Sequence, residues 1–202
     1  MLGCHVRSRY FCVWTSTCFS SARSYAEKFL CLVVHFNSSA WLGARELSIE
    51  WADNPDHWTW NYIYNSGMEV AELLSVCWLD IRGKIDTRQL TRKTSYSAYL
   101  VFKLTDSVSE LERAIASVRF VKEKAEGTDE EGYTVFLSLK AKEEGENGIF
   151  PHLRSDEWME IKLGEFFNNL GEDGEVEMRL MENKNPNWKS GIIVKGIDIR
   201  PN

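Results

Sequence analysis

The chain reads as an all-β protein, a β-sandwich of two antiparallel sheets. Three observations predict this. About eight short segments alternate apolar and polar residues, clusters of turn-forming residues separate them, and no series of long helical patterns lies between them. In E-L-S-I-E-W (46–51), Leu47, Ile49 and Trp51 fall on one side and Glu46, Ser48 and Glu50 on the other. V-C-W-L-D-I-R-G-K-I (76–85) is a longer strand in which Gly83 marks a bulge or bend. At 96–104, Leu100, Phe102 and Leu104 alternate with Tyr99, Val101 and Lys103. Segments 118–124, 134–141, 158–163, 176–182 and 191–199 complete the set, with turn signals at G-E-D-G (171–174) and N-K-N-P-N (183–187). One helical signal competes: S-V-S-E (107–110) has the spacing of a capping box, and Leu111, Ile115 and Val118 follow at helical intervals. A short helix is expected there. The acidic run K-E-E-G-E-N-G (142–148) reads as an exposed loop.

At 202 residues and 44% hydrophobic content the chain can bury a full core, in one principal domain over 44–202. Its net charge of −6 argues against nucleic acid as a general partner, since binding phosphates calls for a basic stripe. The same charge disfavours an anionic membrane surface, and no run approaches the roughly 18 to 20 apolar residues that span a bilayer. Residues 1–43 differ in character: Arg7, Arg9, Arg23 and Lys28 stand against one acid, Glu27, a net +3 that leaves −9 for the rest. This arm reads as a disordered extension, an organelle- or secretion-targeting segment, or an artefact of an upstream start, and Asn37 is a glycosylation sequon only in a secreted chain. Four of the five cysteines lie in it without C-x-x-C spacing, which argues against zinc. The remaining one, Cys77, reads as a small buried thiol in a reducing compartment.

The chemistry gathers in W-A-D-N-P-D-H-W-T-W (51–60), where Asn54-Pro55 makes a loop and Asp53, Asp56 and His57 are too polar to be buried together without partners. Flat indole faces beside carboxylates and amides suit a ligand with an apolar face and a rim of hydroxyls, as a pyranose sugar has. Trp58 is expected to face ligand, while Trp51 divides evenly between ligand and core. Trp60, Trp78, Trp158 and Trp188 read as structural. His57 with Asp53 and Asp56 reads as a polar loop; no metal and no cofactor is expected, and H-E-x-x-H, G-x-S-x-G and phosphate-cradling glycine motifs are absent from the sequence.

From Ala44 to Asn202 the chain resembles the Nictaba-type plant lectins of the phloem lectin superfamily. The resemblance is carried by A-R-E-L-S-I-E-W, D-N-P-D-H-W-T-W, E-V-A-E-L, W-L-D-I-R-G-K-I, K-T-S-Y-S-A-Y-L-V-F-K-L, L-R-S-D-E-W-M-E-I-K-L-G-E-F-F and W-K-S-G-I-I-V-K-G-I-D-I-R-P, in that order. It implies a jelly-roll-like β-sandwich and binding of N-acetylglucosamine oligomers, N-glycans and the glycoproteins that bear them. It further implies a homodimer of the cytosol and nucleus. The family's binding tryptophans match Trp51 and Trp58, and two pocket carboxylates match Glu175 and Glu182. Where relatives carry a lysine run for nuclear import, this chain has L-K-A-K (139–142). Its first 43 residues have no counterpart and hold no F-box-like segment. The expected function is therefore recognition without chemistry. Two rivals are a glycosidase drawing two working carboxylates from Asp53, Asp56, Glu175 and Glu182, and a protein-interaction module that uses the tryptophans as hydrophobic anchors.

Overall fold

A computed structural model describes residues 39–64, 66–123, 132–143 and 145–202. Among the described residues twelve strands appear in chain order: β1 (Ala40–Gly43), β2 (Ser48–Ile49), β3 (Trp58–Tyr62), β4 (Glu69–Leu73), β5 (Leu79–Asp86), β6 (Thr94–Ser109), β7 (Arg113–Phe120), β8 (Tyr133–Phe136), β9 (His152–Leu153), β10 (Met159–Asn168), β11 (Glu175–Glu182) and β12 (Ser190–Pro201). They form two sheets with antiparallel pairing between strands. The larger runs β3-β4-β12-β6-β10-β9, with β1 added to β12, and the smaller runs β2-β5-β11-β7-β8. The expected two-sheet sandwich is what the chain forms.

Period-two alternation explains the core. Tyr96, Ala98, Leu100 and Phe102 of β6 share one buried cluster with Val176, Met178 and Leu180 of β11, Ile161 and Leu163 of β10, Ile81 and Ile85 of β5, and Ile197 and Ile199 of β12. Gly83 makes neither bulge nor bend, for β5 and β11 pair without a register shift from Leu79 to Asp86. A Cβ there would lie 2.7 Å from Ile197 Cδ1 and 3.1 Å from Leu42 Cδ1, so the missing side chain lets the two sheets close. Register shifts lie elsewhere, in β10 at Lys162/Gly164 and in β12 at Ser190/Ile192 and Val194/Gly196.

Three differences from the sequence reading have physical causes. Residues 40–43, assigned to the arm, are a strand paired with β12; Gly196 permits it, because a Cβ there would sit 2.2 Å from the Leu42 carbonyl oxygen. Residues 1–38, and with them most of the arm and its sequon, lie outside the described residues. The expected helix after Ser107 is instead a tight connection from β6 in the larger sheet to β7 in the smaller, with Glu110 at φ 56° in its turn. Ala114 and Ala116 point inward at period two, and pairing with β8 and β11 supplies the hydrogen bonds that a helix would otherwise make. Four helical residues, α1 (Lys140–Glu143), instead lead into the acidic segment.

Candidate functional site

The loop from β2 to β3 carries Trp51 in an uncommon conformation, φ 64°, which a bulky residue holds only when its surroundings enforce it. The enforcement is visible. The Trp58 indole N–H donates to the Glu50 carbonyl at 3.0 Å, and the Trp60 indole N–H donates to the Ala52 carbonyl at 3.1 Å. Those two carbonyls flank Trp51, so two neighbouring indoles clamp the backbone on either side of the exposed one. Asn54 closes the rest of the loop: its side-chain oxygen accepts from Asp56 N at 3.0 Å and its carbonyl accepts from His57 N and Trp58 N. Trp51 is 47% exposed and Trp58 only 2%. Expected to face ligand, Trp58 instead fills the core, because the first inward position of β3 points between the sheets and the ring's single donor finds a carbonyl there. A ring so enclosed has no face to offer a ligand.

The opposite wall comes from the β4–β5 and β11–β12 connections. Val76 and Lys189 pair through both backbone bonds, N to O at 3.0 and 2.7 Å. The Lys189 ammonium, at 0% exposure, lies 2.6 Å from Glu182 Oε2, donates to the carbonyls of Cys77 at 2.6 Å and Asn187 at 3.0 Å, and also reaches that of Asn185. Desolvation pulls its pKa below the usual lysine range. Glu182 Oε1 accepts from Lys184 N at 3.1 Å and Asn185 N at 2.9 Å. This buried pair therefore fixes the loop that presents Trp188. Trp78 and Trp188, both read from sequence as structural, are 51% and 58% exposed.

Between these walls lies a cleft of about 140 Å³ lined by Trp51, His57, Val76, Cys77, Trp78 and Trp188. The His57 ring stacks on Trp188 with centroids 6.4 Å apart and meets Trp51 edge-on at 5.7 Å. Beyond Trp78 the surface turns polar. A concavity of about 450 Å³ includes Glu50, Asp80, Arg179 and Asn183, and shares Met181 and Asn183 with a groove of about 510 Å³ that includes Glu110, Glu112 and Asn185. The aromatic cleft thus meets the polar concavity at Trp78, and the polar groove lies beyond that concavity. Burial opposes ionisation of Asp80, but Arg179 at 2.6 and 2.9 Å and Arg82 outweigh it, so its pKa falls below the usual carboxylate value. An aromatic cleft continuous with amides and fixed charges can stack one part of a ligand and hydrogen-bond the next.

The four residues singled out from sequence do not meet. Trp51 lines the cleft, Trp58 is core, and Glu182 is buried beneath the loop as a partner of Lys189. Glu175 opens β11 opposite Asp86 while Glu182 closes it opposite Leu79. Seven residues of strand put them roughly 23 Å apart, far beyond the ~5 to 9.5 Å between a glycosidase's working carboxylates. Trp60 lies under the Arg45 guanidinium at 3.6 Å, and Trp158 under the ammonium groups of Lys103 and Lys195 at 5.0 and 4.9 Å, as structural residues. Among the described residues no three His, Cys, Asp or Glu side chains form a metal-binding group. A signal for Trp188 did exist in the sequence: it follows the turn N-K-N-P-N, a place where a large apolar residue is left at the rim.

The family model described as phloem protein 2 matches residues 37–201. The chain belongs to the phloem protein 2 family. F-box protein PP2-B10 of Arabidopsis thaliana is 42% identical over 165 residues, covering 79% of this chain and 59% of that protein. Putative F-box protein PP2-B12 of the same plant is 43% identical over 162 residues, covering 79% and 60%. Protein PHLOEM PROTEIN 2-LIKE A5 is 34% identical over 165 residues, covering 79% and 36%. The phloem protein 2 domain described here thus spans less than two thirds of the length of these curated relatives. Among solved structures, the chain resembles the Podospora anserina GH26-CBM35 β-(1,4)-mannanase at a TM-score of 0.46 with 10% identity, covering 83% of this chain and 28% of that one. It also resembles the CBM22-1 xylan-binding domain of Paenibacillus barcinonensis Xyn10C at a TM-score of 0.35 with 9% identity, covering 80% and 85%. Neither likeness bears on the ligand.

Proposed function

We propose that this domain is a lectin for N-acetylglucosamine oligomers and N-glycans, which it binds without cutting. The observation that carries the reading is the convergence of three half-exposed indoles, Trp51, Trp78 and Trp188, on one cleft whose walls are held by buried hydrogen bonds. Indoles give a large contact area to the C–H face of a sugar ring at little conformational cost. Asn183, Asn185, Glu110 and Glu112 in the adjoining groove then read hydroxyls and acetamido groups of further rings, each hydrogen bond netting ~1 kcal/mol after water is displaced. A site this open binds a single sugar weakly. A homodimer gains strength by engaging two glycans of one glycoprotein together. The resemblance to Nictaba-type lectins supports the same ligand, and with it work in the cytosol and nucleus. The F-box in the relatives' names concerns those proteins, whose lengths extend well past the matched domain.

The test is a titration of intrinsic tryptophan fluorescence with the β-1,4-linked N-acetylglucosamine trimer. A saturable change is expected, reduced at least tenfold in affinity by Trp51→Ala and by Trp188→Ala with the unfolding transition kept. Folded protein that shows no signal on a glycan array would favour the protein-anchor rival, and release of reducing sugar from the trimer would replace the lectin with an enzyme.

A further inference from the structure

We propose that the open edge of the larger sheet, strand β3, takes up a basic, extended segment of a partner protein as an added strand. β3 ends its sheet and pairs on one side only, with β4. Leu74 N donates to the His57 carbonyl and Ile63 N to the Met68 carbonyl. Alternation therefore turns the backbone of His57, Thr59, Asn61 and Ile63 toward β4, and that of Trp60 and Tyr62 outward. The Trp58 N–H, also on the outer side, already donates to the Asn54 carbonyl. Trp60 and Tyr62 thus carry the N–H and C=O groups that an added strand would meet. At five residues β3 is longer than the other outer strands, β1 and β8 with four and β2 and β9 with two. Lysine, proline and bulges blunt edges that must stay unpaired. W-T-W-N-Y has none of these, and it pairs with β4 without a register shift.

Charge decides the partner. Residues 46–74 hold Glu46, Glu50, Asp53, Asp56, Glu69 and Glu72 and no lysine or arginine, in a domain whose net charge is −9. Arg45 neutralises Glu69 through two hydrogen bonds of 2.9 and 3.0 Å. Among the described residues no ion pair engages the other five acids. The same arginine displays how this edge holds a cation: its guanidinium lies 3.6 Å from the Trp60 ring while its fork meets the carboxylate. Tyr62 and Tyr64, 72% and 89% exposed, offer further ring faces, and Glu72, bonded to Asn61 Nδ2 at 2.9 Å, offers a further carboxylate. The cations farther along the sheet, Lys103 and Lys195, lie over Trp158 instead. A strand with lysine or arginine at alternate positions sets its cations against these rings and acids while its backbone completes the ladder. A second copy of this chain would bring the same acids to the edge and be repelled.

The test is fluorescence anisotropy of a labelled peptide of about twelve residues, alternating lysine and threonine. It is titrated with the full chain in about 0.15 M salt, which screens loose charge contacts. Saturable binding is expected, with none by the glutamate–threonine counterpart. A peptide of equal charge in which proline replaces alternate threonines should bind at least about tenfold more weakly, because proline cannot donate to the ladder. Tyr62→Pro removes the ring and an N–H that β4 does not use, and Tyr62→Lys adds the charge that blunts an edge. Each should weaken the lysine–threonine peptide at least about tenfold, with thermal unfolding as the check on folding. Equal binding of the proline peptide overturns strand addition and leaves only charge attraction, a comparison that needs no variant. Wild-type affinity in a folded variant, or no binding by wild type, overturns the proposal as well. A dimer that Tyr62→Lys splits would give the edge to a second copy and overturn the basic partner.

Discussion

The two ends of the smaller sheet are built from the same strands and treat charge in opposite ways. At one end, Glu182 and Lys189 are buried against each other and against three carbonyls, and the loops they secure carry the aromatic cleft. At the other, Glu175 is exposed beside Asp86, whose carboxylate pairs with exposed Arg88 at 2.5 Å. A solvated pair gains little because water screens it, whereas a buried pair cannot lose one member without stranding the other. Charge at the first end secures the loops of an aromatic cleft; at the second it decorates a turn.

Breaking the buried pair gives the largest expected effect. Lys189→Met leaves the Glu182 carboxylate without its cation and should cost about 3 to 5 kcal/mol, with sugar binding lost as the Trp188 loop loosens. Arg88→Ala at the opposite end should leave the unfolding midpoint within experimental scatter. Denaturant titration of both variants makes the comparison, and equal effects would mean that the two ends do not differ as described.

The same contrast operates within one loop. Trp58→Ala opens a cavity in the core and should cost about 3 to 5 kcal/mol, a large share of the ~5 to 15 kcal/mol that holds a domain folded. Trp51→Gly should abolish sugar binding and leave the thermal midpoint unchanged or higher, since glycine takes φ 64° without strain. A midpoint lowered as far by Trp51→Gly as by Trp58→Ala would put both rings in the core.

Acid gives a smaller and graded effect. Asp80, held low by Arg179 and Arg82 against the pull of burial, is more acidic in the folded chain than free, whereas water screens the exposed Asp86–Arg88 pair, which adds little. The unfolded chain therefore binds more protons, so this stability is complete above the free carboxylate value of about 4 and is lost as pH falls through the folded value below it. Thermal midpoints should be flat on this account from pH 7 to 5 and fall below about pH 4. A midpoint that rose on acidification would reverse the sign.

The sequence was most legible where strands are long and alternate. β6, β11 and β12 follow from period two alone, because a strand with one face in the core repeats its pattern regardless of its partners. β3 was missed because W-T-W-N-Y continues a polar loop, and the two-residue β9 is too short to show any period, whereas β2 lies within the alternation at 46–51. Trp78 was misjudged because the run V-C-W-L reads as buried, although Trp78 lies in the bend before β5 begins, where alternation does not yet apply. Trp51 was found as a candidate, but its clamp depends on carbonyls presented to indoles eight residues onward. Lys189 meets the Cys77 carbonyl across 112 residues, and no local pattern announces such a contact.

On the proposed lectin reading, the clamp on Trp51 bears on how quickly a glycan is captured. Because folding has already removed that loop's freedom, the ring waits in its working pose, and encounter need not await a slow rearrangement. Association should then be limited by diffusion and orientation, and differences between glycans should show in how long each stays.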